Sequence, residues 1–329
     1  AQALCEIDAQ LRKRGGGLLV AHGKAEELIP QLAEALGAAR VFAAEDYEPG
    51  ARARDQAVSK ALSGTLSLVK DQVIFSPAEI LKENGEPYKV FTPYANAWRA
   101  RLMPASGAAY AIDDSGRYAD FEAVRARAEE AGVRVLKPET GAKVMLADIG
   151  YREQFLPLWP VKDSPERLQA FISAKVKHYR DKRDRMGEEG TSRLSPYLRF
   201  GLVSVRECLR GALKSGAAHA WLNELIWREF YAMILYHFPE SAHEEWNPIY
   251  RGTLGWSQDG EHLAAWKEGK TGFPLIDAAM RELATTGWMH NRARMIVASF
   301  LTKDLLLDWR LGEAHFAQLL MDYDMASNV

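Results

Sequence analysis

The hydrophobic pattern of the 329-residue chain changes near residue 164, and this change constrains the fold more than any other feature. Before it, short apolar runs alternate with helical patterns. The apolar runs are Leu18–Ala21, Arg40–Ala44 and Leu66–Phe75, and the helical patterns cover 1–14, 24–36 and 51–62. Strands and helices that alternate at this spacing predict an α/β unit built on a parallel sheet. The chain enters this unit at a helix, so we expect its first strand to be missing.

After residue 164 the pattern is helical almost throughout, and no strand of consequence is expected. Helices are predicted over 164–180, 204–214, 218–237, 262–268, 273–285, 290–307 and 313–320. Only Trp98 of the nine tryptophans lies in the first 150 residues, which suggests that the two halves do different work. We therefore predict an all-α second half behind the α/β first half.

The region between the two halves contains a helix start and a long connection. Thr92 followed by Pro93 predicts a helix with Thr92 as its N-cap. Residues 104–160 are mixed in pattern, with a helix expected at 119–131. The predicted organisation is an α/β domain over 1–105, a linker over 106–160 and a helical domain over 161–329.

Charge and cysteine content exclude several classes of protein. Lys and Arg number 42 against 44 Asp and Glu, a net charge of -2, which excludes a generally basic nucleic-acid coat but leaves room for a local basic groove. Cys5 and Cys208 lie too far apart for a disulfide framework or a Cys-rich zinc site. No metal site is expected. No apolar stretch approaches the roughly 20 residues of a membrane span, so we expect a cytoplasmic protein.

Residues 191–196 combine three hydroxyl side chains with a proline. The segment reads Thr191, Ser192, Arg193, Leu194, Ser195, Pro196. Pro can open a helix, and hydroxyls at a helix N-terminus suit a phosphate group. The alternative interpretation is a simple N-cap turn, and this segment alone does not exclude it.

Residues 221–231 predict a helix with a chemically mixed face. Glu224, Trp227, Arg228 and Tyr231 share that face by their three- and four-residue spacing. An acid, a large ring and a cation on one face could bind a flat polar ligand. The alternative is a helix half buried by its Trp, with solvated charges.

A third motif lies over residues 288–295. Asn291 and Met295 are four apart and share a helix face, whereas Arg292 lies beside that face and Arg294 on another. Asn can contact a base edge, Met packs adaptably and Arg can hold a phosphate. Surface charges and a helix-terminal histidine at His290 are the alternative interpretation.

Near the end of the sequence, Asp322 could pair with Arg294, although a flexible tail remains an alternative there.

Together, in this order and spacing, these segments resemble the photolyase/cryptochrome family of flavoproteins, closest to its class I cyclobutane-dimer branch. The resemblance runs through the whole chain. It is carried by 47–55 and 87–102 in the first half, and by 190–201, 221–231, 265–283, 286–313 and 322–328 in the second.

The resemblance implies an α/β antenna domain, a linker and a helical domain that holds FAD. The positions that match cofactor-binding residues are Tyr179, Thr191, Ser192, Arg193, Leu194, Ser195, Trp221, Arg294, Asp322, Asp324 and Asn328. Asn328 matches the residue beside flavin N5, where photolyases resemble this chain and cryptochromes typically carry Asp or Cys. Glu86 matches an acid that contacts an antenna chromophore. That chromophore is expected to be methenyltetrahydrofolate, with deazaflavin as the alternative.

The implied reaction is light-driven repair of cyclobutane pyrimidine dimers by electron transfer from photoexcited FADH⁻. The resemblance assigns Glu224, Trp227, Asn291 and Met295 to the dimer pocket, and Arg183, Arg228 and Arg292 to DNA contacts. Trp256 and Trp309 match the outer members of an electron-transfer chain. The implied partner is dimer-containing DNA, and the implied oligomeric state is a monomer.

The chain departs from the family pattern at both ends. The first strand has no match, and the pattern continues beyond Asn328, where this sequence stops at Val329. We therefore expect a fragment that is truncated at both ends. Two alternatives stay open: a cryptochrome-like photoreceptor that binds FAD without repair, and an inactive fragment.

Overall fold

The structure, a computed structural model, describes residues 1–109, 118–151, 164–216 and 218–329. The chain divides into two compact units. One is formed by Ala1–Gln72 and Ala109–Leu156, and the other by Val73–Ala108 and Pro157–Val329. The first unit is α/β and the second is helical, as the sequence predicts. The predicted domain boundaries, 1–105, 106–160 and 161–329, stay predictions, because packing alone does not mark where a functional domain ends.

Helices and short strands alternate in the α/β unit. Its elements are α1 (Gln2–Arg12), β1 (Val20–Ala21), α2 (Ala25–Leu36), β2 (Val41–Ala44), α3 (Pro49–Ala61), β3 (Leu66–Val69), then, after α4, α5 (Phe121–Glu130), β4 (Val135–Leu136) and α6 (Ala142–Asp148). β2 and β3 pair in parallel, with Val41 opposite Leu66 and Ala44 opposite Val69. This confirms the expected parallel sheet for one pair of strands.

β1 departs from the expected topology. It pairs antiparallel with β4, with Val20 opposite Leu136, so the described strands form two separate two-stranded sheets. The sequence did not predict β4, which lies in the expected linker. The helix predicted at 119–131 is confirmed as α5, whose N-cap Asp120 accepts bonds from the Glu122 and Ala123 N–H groups.

The helical unit begins with α4 (Phe91–Arg101) and continues from residue 164. Its later helices are α7 (Ser164–Ala170), α8 (Tyr179–Lys182), α9 (Ser195–Arg199), α10 (Val205–Ser215), α11 (His219–His237), α12 (Gly260–Glu268), α13 (Pro274–Thr286), α14 (Asn291–Ser299), α15 (Trp309–Leu319) and α16 (Met325–Asn328). Two buried clusters form its core. One surrounds Trp98, Leu209 and Ile226, and the other surrounds Trp266 and Leu283.

Two of the predicted long helices are interrupted. The helix expected over 164–180 passes through a π-helical turn at Phe171–Lys175 and a 3₁₀ turn before α8. The helix expected over 290–307 ends in a second π-helical turn, Phe300–Asp304, and Leu306 adopts a positive φ of 53°. Hydrophobic periodicity could not show these breaks, because a π-turn changes the backbone hydrogen bonding without removing apolar residues.

Two helix starts differ from the predicted ones, and one bridge was not foreseen. α4 begins at Phe91 with Val90 as its N-cap, so Thr92 and Pro93 lie in the first turn. Pro is tolerated there because the first N–H groups of a helix have no partner within the helix. α15 begins four residues before the predicted 313, because Asp308 accepts a bond from the Arg310 N–H and caps it. An isolated parallel bridge joins Ser257 to Leu307.

The strand expected over 66–75 ends at Val69, and the N–H groups of Ile74 and Phe75 bond to a buried carboxylate instead of a neighbouring strand. Glu229 on α11 accepts a hydrogen bond from the Ile74 N–H at 2.5 Å and from the Phe75 N–H at 3.2 Å. The Trp98 indole Nε1 donates to the same carboxylate at 2.6 Å. Glu229 is 1% exposed, so this carboxylate connects the 73–108 segment to α11 in the interior of the helical unit. Among the described residues, no helix is long and apolar enough to cross a membrane.

We predict that Glu229→Gln destabilises the helical unit by about 2–3 kcal/mol. Glutamine keeps one acceptor oxygen, but its NH₂ group replaces the other and cannot accept a hydrogen bond. Some of the buried N–H groups that now donate to the carboxylate would therefore lose their acceptor. Urea unfolding followed by tryptophan fluorescence measures the change. The exposed Glu261→Gln is the control and should stay within about 0.5 kcal/mol of the original chain. An equal effect of both substitutions would contradict the role of Glu229.

Candidate functional site

The hydroxyl segment 191–195 forms a tightly held loop before α9. Leu194 is buried and anchors the loop, and Arg193 adopts a positive φ of 49°. A Cβ at Gly190 would lie 2.5 Å from the Lys182 carbonyl oxygen, so this approach to α8 requires glycine. α9 has only five residues, so the hydroxyls and Arg193 are the main groups here that could hold an anion.

Trp288 fixes one side of this loop. Its Nε1 donates to the Ser195 Oγ at 3.3 Å, and the Arg193 guanidinium lies 4.7 Å from the centre of its ring. The sequence did not assign Trp288 to the site. Trp288 is the first residue of the third motif, and its contact with the hydroxyl loop depends on long-range packing, which sequence spacing does not show.

An aromatic wall lies beside α8 and α11. Tyr179 and Trp221 are both buried, and Phe171 packs against both, with ring centres 5.9 Å and 5.0 Å away. Burial raises the pKa of the Tyr179 phenol well above its usual value, so the group stays neutral. These rings supply an apolar surface next to polar groups.

The predicted pairing of Asp322 with Arg294 is observed. The Arg294 Nη2 donates to both Asp322 oxygens, at 2.7 Å and 3.0 Å, and its Nε donates to the Met289 carbonyl oxygen at 2.8 Å. The Asp322 side chain is 1% exposed, and Arg294 is the ion-pair partner of this buried carboxylate. Asp324 is the N-cap residue of α16, and its carboxylate accepts a hydrogen bond from the Ser327 hydroxyl at 3.0 Å.

Asn328 lies beside a carboxylate that the sequence did not single out. Its Nδ2 donates to Glu313 Oε1 at 3.4 Å, and the Tyr323 hydroxyl donates to the same oxygen at 2.6 Å. Asn328, Glu313 and Trp309 help to line a cavity of about 80 Å³. Glu313 lies four residues after Trp309 on α15, and this spacing is the signal that could have pointed to it.

One continuous set of contacts joins most of the residues predicted for the dimer and DNA. The Arg183 Nη1 donates to Glu224 at 2.5 Å, and Asp184, next to Arg183, accepts from the Arg292 Nε at 2.7 Å. The Arg292 Nη1 then lies 3.8 Å from the Met295 sulfur. The Asn291 Nδ2 completes the set at 3.9 Å from that sulfur. Residues from three separated parts of the sequence thus meet at one surface.

Burial raises the pKa of the Glu224 carboxyl, and the charge and hydrogen bond of Arg183 oppose this shift. The net direction is upward, so the Glu224 carboxyl keeps its proton to a higher pH than a free glutamate does. A glutamate side chain accepts hydrogen bonds when it is ionised and can donate one when it is protonated. This behaviour suits a group that contacts an uncharged polar ligand.

Trp227 and Arg228 are not part of this set of contacts. The Trp227 ring lies parallel to Phe91 at 3.6 Å, and Tyr231 stacks on it at 5.4 Å. Arg228 is half-buried on α11, and its charge acts on Cys208 and Glu229. Their assignments as a stacking surface and a DNA contact stay predictions.

Trp256, Trp309 and Glu86 lie away from this set of contacts. The bridge between Ser257 and Leu307 brings the backbone near Trp256 close to the backbone that leads into Trp309. The guanidinium of Arg310 lies 4.8 Å from the Trp309 ring centre. Glu86 is on the surface, where hydrogen bonds with Asn84 and Lys82 lower its pKa. Electron transfer and antenna binding stay predictions for these residues.

The groups gathered in the helical unit are typical of one class of protein. A helical unit with a hydroxyl loop, a buried Asp–Arg pair and an aromatic wall has the polar and apolar groups needed for a nucleotide cofactor. Its paired surface arginines suit a phosphate backbone. The protein is therefore of the class in which an α/β unit accompanies a helical cofactor-binding unit.

Comparisons with known proteins agree with this class. Residues 1–111 match the DNA photolyase family, and residues 221–329 match the FAD binding domain of DNA photolyase. The deoxyribodipyrimidine photo-lyase of a Synechococcus strain is 37% identical over 99% of this chain and 68% of its own length. The chain belongs to the photolyase/cryptochrome family, and it spans about two thirds of the length of that relative.

Two solved structures share the fold. A bacterial class III photolyase from Agrobacterium tumefaciens superposes with a TM-score of 0.80 at 31% identity, covering 99% of this chain and 67% of the other. A cryptochrome from Synechocystis superposes with a TM-score of 0.77 at 24% identity, covering 98% and 67%. Because the sequence identity to the Synechocystis cryptochrome is only 24%, this second similarity shows a shared fold and nothing further.

The residues present fit FAD by the chemistry of their donors and acceptors. The hydroxyls of Thr191, Ser192 and Ser195 with Arg193 supply donors for a diphosphate. Arg294 and Asp322 form a buried polar pair that can face the polar edge of a ring system. The aromatic wall of Tyr179 and Trp221 supplies the apolar side of such a pocket.

We predict that Glu224→Gln is more stable than the original chain at neutral pH. The folded-state pKa of Glu224 is raised above its ordinary value of 4.5, so the folded state holds its proton to higher pH than the unfolded state. Stability therefore falls as pH rises through the window between the two pKa values. Urea midpoints measured from pH 4 to pH 8 should show a difference that is largest at high pH and vanishes on acidification. A less stable variant, or a difference that is independent of pH, would show that Arg183 outweighs burial.

We predict that Arg294→Met destabilises the helical unit by about 3–5 kcal/mol, because it leaves the Asp322 carboxylate buried without its partner. The double variant Arg294→Met/Asp322→Asn should recover part of this loss. A double-mutant cycle by urea unfolding measures the coupling. Strictly additive losses would mean that the observed pair contributes no interaction energy.

Proposed function

We propose that the chain is the FAD- and DNA-binding part of a photolyase that repairs cyclobutane pyrimidine dimers in DNA by light-driven electron transfer. The observation that carries the proposal is the set of contacts running from Glu224 through Arg183, Asp184 and Arg292 to Met295. This set of contacts links side chains that could bind a polar ring with arginines that could bind the phosphates of a DNA backbone. When bound, reduced FAD would supply the electron that light transfers to the dimer, and the electron would return to the flavin after the ring has split, so that no net oxidation or reduction results.

The protein groups bind and orient the lesion. A damaged pair costs less to extrude from the duplex than an intact one, which favours entry of the dimer into a pocket. Glu224, whose pKa burial raises, forms a hydrogen bond with the pyrimidine ring of the lesion. The Asn291 amide pairs with a base edge, and Met295 packs against the ring. Arg183, Arg228 and Arg292 hold the flanking phosphates, so binding weakens as salt rises.

The remaining assignments concern the flavin and the antenna. The residues proposed to hold FAD are Tyr179, Thr191, Ser192, Arg193, Leu194, Ser195, Trp221, Arg294, Asp322, Asp324 and Asn328. Trp256 and Trp309 are proposed to carry electrons from the surface toward the flavin. Glu86 is proposed to contact an antenna of methenyltetrahydrofolate, and an absorbance spectrum of the released chromophores distinguishes it from deazaflavin.

The first experiment measures FAD and dimer binding. The chain is purified with added FAD, denatured, and the released flavin is quantified by absorbance. Fluorescence anisotropy then compares a duplex carrying one thymine dimer with the same duplex undamaged. Stoichiometric FAD with tighter binding to the damaged duplex supports the proposal. A photoreceptor would be favoured by two results together. The chain would bind FAD without preferring the damaged duplex, and the thymine dimer would remain after illumination with blue light.

We predict that Glu224→Ala lowers the affinity for dimer-containing DNA roughly tenfold, because one hydrogen bond of a partly buried acid is lost. FAD content should stay unchanged, since Glu224 is assigned to the dimer and not to the flavin. Flavin release and anisotropy are measured on the same sample. The exposed Glu261→Ala is the matched control. Loss of FAD in Glu224→Ala alone would move this residue to the cofactor side of the site.

A further inference from the structure

Asp184 is a carboxylate to which neither the motifs nor the proposed function gives a role. It follows α8 in the chain and lies between two of the arginines proposed to hold DNA. It accepts a hydrogen bond from the Arg292 Nε at 2.7 Å and lies 3.8 Å from the Arg183 Nε. Arg183 in turn is bound to Glu224. Both arginines are therefore engaged with carboxylates before any DNA is present.

Asp184 accepts a hydrogen bond from the Arg292 Nε, and a phosphate bound to Arg292 would use the same donor. Arginine binds a phosphate most strongly through two parallel N–H groups, and Nε is one of the donors in such forks. Asp184 holds this Nε at hydrogen-bond distance, and the hydrogen bond from Arg292, together with its charge, lowers the pKa of Asp184 and favours the ionised carboxylate. A phosphate that binds Arg292 through Nε must first displace a charged competitor.

We propose that Asp184 competes with the DNA backbone for Arg292 and thereby sets the affinity of the site for DNA. This inference rests on the proposed function, because it takes Arg292 as a phosphate contact. Phosphates are present in damaged and undamaged duplexes alike, so the competition lowers both affinities by the same factor. Asp184 thus sets how tightly DNA is held, whereas Glu224, Asn291 and Met295 determine which DNA is preferred.

Exposure sets the size of the effect. The side chains of Arg292 and Asp184 are 39% and 53% exposed, and water and salt weaken such pairs. Releasing an exposed ion pair of this kind changes an equilibrium roughly two- to fivefold. We therefore expect Asp184→Asn to bind both duplexes two to five times more tightly, with the ratio between them unchanged.

The experiment is fluorescence anisotropy with the full chain, a duplex that carries one thymine dimer, and the same duplex undamaged. The variants are Asp184→Asn, Asp181→Asn, Arg292→Gln and Asp184→Asn/Arg292→Gln. Asp181 is exposed on α8, so its substitution removes the same charge three residues away. Circular dichroism checks that each variant is folded.

Tighter binding of Asp184→Asn to both duplexes, lost in the Arg292→Gln background and absent in Asp181→Asn, supports the proposal. Unchanged or weaker binding would overturn it, and weaker binding would mean that Asp184 orients Arg292 for DNA. Asp181→Asn could tighten binding equally, or the tightening by Asp184→Asn could persist in the Arg292→Gln background. Either result would mean that the removal of any nearby negative charge explains the effect, and it would also overturn the proposal. If the original chain does not prefer the damaged duplex, the proposed function fails, whereas the competition at Arg292 is still decided by whether Asp184→Asn tightens binding of both duplexes.

Discussion

The helical unit depends on one buried carboxylate with three N–H donors. Glu229 accepts bonds from Ile74, Phe75 and the Trp98 indole, so a segment from the first third of the sequence is tied to the middle of α11. The desolvation of a buried acid is costly, and burial raises the pKa of Glu229. The donors offset this cost only when all three are in place, which specifies the position of the 73–108 segment.

The same helix carries the candidate pocket. Glu224 precedes Glu229 by five residues and lies on a different side of α11, where it contacts Arg183. Two acids on one helix thus have different surroundings: one is enclosed by N–H donors, and the other is open on one side to a ligand. Because Glu229 fixes α11, a change there would alter the position of Glu224 without touching the pocket.

The sequence predicted what local spacing determines and missed what long-range packing determines. The contact of Asn291 with Met295 follows from four-residue spacing, and the α/β first half follows from alternation of pattern. Asp184 and Trp288 were missed because their partners lie about a hundred residues away. The strand predicted over 66–75 is observed only as far as Val69, and the N–H groups of Ile74 and Phe75 bond to Glu229, whose position no local pattern reveals.

The alternating charges at the proposed DNA surface have a kinetic consequence. With all four groups ionised, the charges of Glu224, Arg183, Asp184 and Arg292 sum to zero, and the whole chain carries a net charge of -2. A neutral cluster produces little field beyond a Debye length of about 8 Å at physiological salt. This cluster therefore gives little long-range steering, and encounter through it proceeds near the unsteered range of about 10⁵–10⁶ M⁻¹s⁻¹. Differences between duplexes at this surface then reside in how long each complex lasts and not in how often it forms.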